Sequence, residues 1–206
     1  MDRFLREHAT DARVLEIGVP AGVGYGHYFP KHTTLDINSA RNPDIVGDIN
    51  ELPFADASFP VAVMIEVLEH LAEPARALAE VYRVLEPGGT LILTTRFLAP
   101  PHDAPRDYFR FTSFGLEYLL REWNEVNISP DLNTMQTLGT LFQRLAYQTE
   151  VRGGKPVKGL IILCAQIFSR LNWFIKREYG DIGRMVPLES GLLISGYHVV
   201  AKKPRQ

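Results

Sequence analysis

The fold prediction starts from Arg13-Val14-Leu15-Glu16-Ile17-Gly18-Val19-Pro20-Ala21-Gly22-Val23-Gly24. Its first half is a short apolar run, typical of a strand that is buried on both faces of a parallel sheet. We expect this strand to end at Glu16 and to lead into a turn of small residues. Glycine adopts positive φ and has no Cβ, so a ligand can lie against the backbone there. Because ligands of open α/β sheets bind beyond the carboxyl ends of the strands, the turn predicts a binding site.

Length and composition fit one globular domain, which we expect to span residues 1–206. The formal net charge of -2 argues against a nucleic-acid partner, since such proteins carry a basic face or domain. Cys164 is the single cysteine, so no intrachain disulfide forms, and the charged N-terminus does not resemble a signal peptide. We therefore expect a cytoplasmic protein. The isolated histidines and the cysteine lack metal-ligand spacing, and we expect no metal site.

Further short apolar runs predict four more strands that alternate with helices. The helix between the fourth and fifth strands begins at Pro74, and Pro87-Gly88-Gly89 ends it. The predicted strands are Thr33–Ile37, Asp44–Ile49, Val61–Ile65 and Thr90–Thr94. This alternation predicts an α/β fold with a doubly wound, mostly parallel sheet and right-handed crossovers.

Acidic residues close four successive predicted strands: Glu16, Asp36, Asp48 and Glu66. The carboxyl ends of parallel strands lie at one edge of the sheet, so we expect these acids to share a site. Such a site prefers a cationic or hydroxyl-rich ligand. Asp36 lies 20 residues beyond Glu16, near the interval at which nucleotide-binding βαβ units place a ribose-binding acid. A turn or helix-capping aspartate is the alternative.

The last part of the chain predicts a helix and two strands separated by an insertion. The helix Phe114–Arg121 is expected to be capped by Thr112 or Ser113. The two strands are Val126–Ile128 and Tyr197–Ala201. Between them, a helical insertion is expected over about residues 130–190.

Two helices are predicted inside this insertion. Leu132–Tyr147 is the first, interrupted at Gly139, and Val157–Lys176 is the second. The second has an apolar stripe at helical spacing and is too polar around Arg170 to span a bilayer. The residues of the stripe are Leu160, Ile161, Cys164, Ile167, Phe168, Leu171, Phe174 and Ile175. The stripe either packs onto its own domain, or forms a homodimer or lid surface, or makes shallow peripheral contact with a membrane.

Five sequence blocks follow one another at regular spacing: Val14–Gly18, Leu35–Ile37, Gly47–Phe54, Glu66–His70 and Arg83–Gly89. Together they resemble the class I S-adenosylmethionine-dependent methyltransferases, in the branch that includes the ubiquinone and menaquinone biosynthesis enzymes. The resemblance covers about residues 12–122 and the final strand. It implies a Rossmann-like sheet with an antiparallel last strand, and S-adenosyl-L-methionine as the cofactor.

The same resemblance implies which residues hold the cofactor. In that family the glycine turn lies against the methionine part, the acid after the second strand holds the ribose hydroxyls, and the acid after the third accepts from the adenine amino group. The residues implied are Glu16, Gly18, Pro20, Gly22, Asp36, Asp48, Ile49 and Glu66. Pro20 stands where the family usually has glycine, so one backbone donor is absent.

Methyl transfer to a hydroxyl or carbon acid needs a base. The loop after the fifth strand is expected to border the methyl group, with His102 as the candidate base, oriented by Asp103 or Asp107. The residues expected to hold the acceptor are Arg106, Tyr108 and Arg110. His102 is alternatively a loop histidine bonded to backbone, or a substrate contact.

The resemblance implies methyl transfer to a small-molecule, sugar or lipid-linked acceptor. One alternative is a non-catalytic module that binds S-adenosylmethionine. A nicotinamide dehydrogenase is disfavoured, because the full GxGxxG fingerprint is missing at residues 18–23.

Overall fold

The computed structural model describes residues 1–20, 22, 24–180, 187–188 and 191–205. It divides into two compact units. The first unit comprises Met1–Arg96, Asp103–Ile128 and His198–Gln206, and the second comprises Phe97–His102 and Ser129–Tyr197.

Seven strands form one sheet. They are β1 (Val14–Ile17), β2 (His32–Asp36), β3 (Ile45–Val46), β4 (Phe59–Ile65), β5 (Leu85–Arg96), β6 (Asn124–Pro130) and β7 (Gly196–Lys202). The described residues form five α-helices: α1 (Asp2–Glu7), α2 (Pro74–Val84), α3 (Ser113–Leu119), α4 (Thr134–Gln148) and α5 (Gly154–Phe168).

The order of the strands is β3-β2-β1-β4-β5-β7-β6. Strands β1 to β5 pair in parallel, with Ile17 beside Leu35 on one side and Met64 on the other. β7 runs antiparallel to β5, since Lys203 N–H donates to Gly89 O at 2.8 Å while Phe97 N–H donates to Ser195 O at 2.8 Å. The prediction of a doubly wound, mostly parallel sheet with an antiparallel last strand is confirmed.

Apolar side chains explain why β1 lies in the middle of the sheet. All four of its residues are buried, and Val14 packs with Phe4 and Leu5 of α1 and with Phe29. Burying one such side chain contributes about 1.5–3 kcal/mol. The order reverses between β1 and β4, so this core supports the switch point at which ligands of such sheets bind.

The third and fifth strands have boundaries that differ from the predicted ones for identifiable reasons. The third strand contains only Ile45–Val46, because Asp48 caps a 3-10 helix at Ile49–Glu51. The fifth strand begins at Leu85 and not at Thr90, because Leu85 already pairs with Phe59. An irregular register then absorbs the Pro-Gly-Gly segment, in which Gly88 has φ +80°.

In the second unit, the prediction that Gly139 interrupts the first helix is wrong. α4 runs unbroken through it and begins with a capping box at Asn133. A Cβ at Gly139 would lie 2.1 Å from Ser169 Oγ and 2.7 Å from Ala165 O. Glycine therefore lets α4 approach α5 closely.

The second helix of the insertion is shorter than predicted and is turned differently. α5 ends at Phe168, and a 3-10 helix follows at Asn172–Phe174. Of its residues only Ala165 is buried, whereas Leu160 of the predicted stripe is 60% exposed. Part of the predicted stripe nevertheless packs onto α4, since Phe168 stacks on Phe142 with ring centroids 5.3 Å apart. Ile161 and Cys164 of the stripe are half-buried.

The residues 181–186 and 189–190 of the predicted insertion lie outside the described part of the chain. Among the helices of the described residues, none has the length and apolar character needed to cross a bilayer.

Candidate functional site

Three of the four predicted acids lie at or just after the carboxyl ends of parallel strands. Asp36 is the last residue of β2, Glu66 directly follows β4, and Asp48 comes two residues after β3. The prediction that β1 ends at Glu16 is wrong, because Ile17 still pairs with both neighbouring strands. Glu16 is therefore an internal strand residue whose side chain alternates with those of its neighbours.

The glycine turn leaves β1 at Gly18, which has φ +83° and donates its N–H to Leu35 O at 2.8 Å. A Cβ there would lie 2.5 Å from Val67 Cγ2. Gly22 has φ +148°, and its N–H donates to Pro20 O at 2.9 Å. A Cβ at Gly22 or Gly24 would meet no atom of the described residues within 4 Å, so the backbone of the turn is open there.

Asp36 ties the end of β2 to this turn. Its Oδ2 accepts from Val19 N–H at 2.8 Å, and its Oδ1 accepts from Asn38 N–H at 2.7 Å. A carboxylate offers about four lone-pair sites, so the half-buried group keeps capacity for two further donors. Sequence reasoning missed Ile37, which is 55% exposed beside Asp36. The only sequence signal was its place in the Leu35–Ile37 block.

Asp48 and Ile49 have separate local roles. Asp48 is exposed, and its Oδ1 accepts from Asn50 N–H at 2.8 Å. Ile49 is only 6% exposed and belongs to the core. Their predicted contacts with an adenine ring stay predictions.

Glu66 has a positive φ of +57°. Its Oε1 accepts from Thr94 Oγ1 at 2.9 Å, and its carboxylate pairs with Arg96 on β5. Non-glycine residues in this conformation cost about 1–3 kcal/mol and cluster at functional sites. The pairing fixes Glu66 against the end of the neighbouring strand.

Glu16 is only 2% exposed, and its Oε2 accepts no hydrogen bond from the described residues. His32 Nε2 lies 3.7 Å from that oxygen. Burial raises the pKa of Glu16 above its ordinary value. Burial, together with the nearby carboxylates of Glu16 and Glu66, also raises the pKa of Tyr25. Sequence reasoning gave Tyr25 no role.

The loop after β5 is fastened by Glu69, whose backbone oxygen accepts from Tyr108 N–H at 3.0 Å and from Phe109 N–H at 3.1 Å. The Glu69 side chain is fully buried, and its Oε2 accepts from Thr95 Oγ1 at 2.8 Å. His70 Nδ1 lies 2.6 Å from Arg106 O. Glu69 belongs to the Glu66–His70 block, but the sequence predicts no role for it, and only its contacts show that it holds the loop.

Two of the predicted acceptor residues differ in their surroundings. Arg110 donates to both carboxylate oxygens of Asp107 at 2.6 and 2.7 Å. These bonds raise the pKa of Arg110 above its already high ordinary value. Tyr108 is 50% exposed. Acceptor binding by Arg106, Tyr108 and Arg110 stays a prediction.

His102 lies in the second unit, and its Nδ1 is 3.2 Å from Pro100 O. That contact fits the alternative of a loop histidine bonded to backbone. Its role as a base, and its orientation by Asp103 or Asp107, stay predictions.

This chain resembles known proteins in its sequence. Residues 23–93 match the family model described as a methyltransferase domain. The resemblance to class I S-adenosylmethionine-dependent methyltransferases is confirmed. A demethylmenaquinone methyltransferase of Renibacterium salmoninarum is 38% identical over 90 residues, which are 42% of this chain and 35% of that relative. The chain spans about half or less of the length of the curated relatives it matches.

Solved structures share the fold at low sequence identity. The [4+2]-cyclase SpnF has a TM-score of 0.61 at 16% identity, over 99% of this chain and 80% of that one. A SAM-dependent methyltransferase from Archaeoglobus fulgidus has a TM-score of 0.58 at 15% identity, over 98% and 90%. These matches establish the architecture, which by itself does not specify a reaction.

Proposed function

We propose that this chain transfers a methyl group from S-adenosyl-L-methionine to a small-molecule acceptor. The observation that supports this most is the coupling of Asp36 to the glycine turn at the switch point of the sheet. One carboxylate there braces the turn and still has lone pairs for ligand hydroxyls.

The residues at this edge suit the cofactor in three ways. The backbone is open at Gly22 and Gly24, so a ligand can lie against it. Asp36 offers acceptors to ribose hydroxyls, and the exposed Ile37 offers an apolar surface to an adenine ring. Oε2 of Glu16 is buried and accepts no hydrogen bond from the described residues, and in our proposal it is an acceptor for an ammonium group.

When bound, S-adenosylmethionine supplies a methyl group on a sulfonium, which an acceptor nucleophile takes in line. The task of the chain is to orient the two partners and exclude water, which contributes up to about 7–11 kcal/mol. A hydroxyl or carbon-acid acceptor also releases a proton. In our proposal His102 takes this proton, and Arg106, Tyr108 and Arg110 hold the acceptor.

For the acceptor, the name of the Renibacterium relative makes demethylmenaquinone the first compound to test. Sugar and other lipid-linked acceptors are the next classes. A cytoplasmic location stays a prediction.

Calorimetry with S-adenosylmethionine, its demethylated product and NAD tests the cofactor. We expect Asp36→Asn to weaken binding of the first two by roughly tenfold to a hundredfold, since a hydrogen bond to a charged group contributes about 1.5–3 kcal/mol. Asp44→Asn is the matched control, because Asp44 also bonds to β2 but precedes β3. Equal affinities for the two variants, or tighter binding of NAD, would overturn the cofactor assignment.

Turnover tests the base. His102→Ala at saturating cofactor should lower the turnover number by about 10²–10⁴-fold if His102 removes the acceptor proton. An unchanged turnover number would exclude that role.

A second candidate function is a module that binds the cofactor without methyl transfer. This fold by itself does not specify methyl transfer, since a protein named as a [4+2]-cyclase shares it. Tight binding of S-adenosylmethionine, with no methylated product from any of the acceptor classes, would support this candidate over methyl transfer.

A further inference from the structure

An apolar patch of exposed side chains lies on α5 and on the 3-10 helix that follows it. It consists of Val157, Leu160, Leu163, Ile167, Trp173 and Phe174. The first four are spaced three or four residues apart, so they share one side of α5. Leu160 is 60% exposed, and Trp173 and Phe174 are 78% and 76% exposed. Contiguous exposed apolar groups of this kind mark interaction surfaces.

The close contact between the two helices explains why this side stays uncovered. α4 meets α5 at Gly139, where the neighbouring atoms belong to Ala165 and Ser169. Beside that contact, Phe168 stacks on Phe142 of α4. Leu160, Leu163 and Ile167 lie on the rest of the helix and stay exposed.

In the segment that carries the patch, all charged residues are basic. Residues 151–177 contain six Lys and Arg residues and no Asp or Glu. The rest of the chain then holds 16 basic and 24 acidic residues. The segment contains Arg152, Lys155, Lys158, Arg170, Lys176 and Arg177, and all but Lys158 are exposed. Cations therefore stand at both ends of the apolar patch.

We propose that this patch docks the protein on an anionic phospholipid surface. An apolar helix side with flanking Lys and Arg is the pattern of helices that lie in the bilayer interface. Trp173 suits the headgroup level, because its ring is apolar and its N–H is polar. Each Lys or Arg near an anionic leaflet contributes about a fivefold gain in affinity. This inference does not depend on methyl transfer.

Charge favours a lipid surface over a second copy of the chain. A symmetric dimer brings the same patch of two subunits together. It would face two segments that each carry six positive charges and no negative ones. An anionic bilayer instead attracts those charges while it covers the apolar side chains.

Vesicle flotation with the full chain tests the proposal. We expect binding to vesicles of equal parts phosphatidylglycerol and phosphatidylcholine, weakening as salt is raised, and little binding to phosphatidylcholine alone. Tryptophan fluorescence should shift to the blue on binding. Trp123 is 8% exposed, so the shift should come from Trp173 and vanish in Trp173→Phe.

A matched pair of variants separates the patch from general hydrophobicity. Phe174→Asp should lose binding, whereas Phe114→Asp should keep it, since both rings are 76% exposed but Phe114 lies on α3. Lys176→Gln with Arg177→Gln should weaken binding by roughly 25-fold. Circular dichroism confirms that the variants fold.

Three outcomes overturn the proposal: no binding to anionic vesicles at low salt, equal binding of Phe174→Asp and Phe114→Asp, or insensitivity to the charge variants. A dimer that sediments as such and is lost in Phe174→Asp, without vesicle binding, would assign the patch to a second copy instead.

Discussion

Replacing Gly18 with alanine tests the geometry of the turn after β1. Gly18 has φ +83°, and an alanine Cβ would lie 2.5 Å from Val67 Cγ2. The left-handed backbone costs about 1–2 kcal/mol for a residue with a Cβ. Forcing a methyl group against a stiff valine costs about 1–3 kcal/mol more. Gly18→Ala should therefore lower the free energy of unfolding by about 2–5 kcal/mol.

Val67→Ala separates these two costs. It removes Cγ2, and the remaining Val67 Cβ would be 3.8 Å from the new methyl group, which is ordinary contact. In the double variant we expect the steric cost to disappear and a backbone cost of about 1–2 kcal/mol to remain. The cycle should thus show a coupling of about 1–3 kcal/mol.

Urea unfolding followed by circular dichroism measures these energies, with the linearity and slope of each transition checked for two-state behaviour. The midpoint of thermal unfolding should fall by roughly 4–20 °C in Gly18→Ala, at 2–4 °C per kcal/mol for a chain of this size. Gly24→Ala is the control, since in the part of the chain that the structure describes its Cβ would meet nothing within 4 Å. It should be neutral or stabilising by up to about 1 kcal/mol. A Gly18→Ala variant as stable as the control, or a cycle without coupling, would refute this account of the turn.

Four further substitutions test other parts of the structure. Gly139→Ala should lower the free energy of unfolding by about 1–3 kcal/mol, because its Cβ would lie 2.7 Å from Ala165 O. Gly159→Ala, whose Cβ in α5 would meet no described residue within 4 Å, should raise it by about 0.5–1 kcal/mol. Hydrogen exchange of the amides of α4 and α5 measures both changes in stability. Equal effects of the two substitutions would contradict the close contact between the helices. Burial raises the folded-state pKa of Glu16, so the chain loses stability as pH rises through that value. Glu16→Gln should therefore match the parent below about pH 4, where the carboxyl is neutral in both states, and should unfold at a higher temperature near pH 7–8. A difference that does not grow with pH would refute this. Thr95→Val keeps the shape but removes the donor to the buried Glu69, and should cost about 1–3 kcal/mol in urea unfolding. No loss would mean that the bond is not formed.

The sequence by itself determined the parallel sheet and the edge of the sheet at which the predicted site residues lie. Strands that are buried on both faces have continuous apolar runs, and the residues that follow such strands lie at one edge of any parallel sheet. That reasoning needs no distances, so Asp36 and Glu66 were located correctly beside the switch point. It failed by one residue at Glu16, because pairing with two neighbours, and not residue type, decides where β1 ends.

Tertiary contacts decided what the pattern along the chain leaves open. Periodicity gives α5 an apolar stripe but cannot say which side a partner helix covers, and Gly139 beside Ala165 made that choice by allowing close approach. Likewise, no spacing rule shows that Asp36 accepts from Val19 N–H or that Glu69 holds the backbone of Tyr108. Such bonds join residues far apart in the sequence, and only the folded chain brings their atoms within hydrogen-bonding distance.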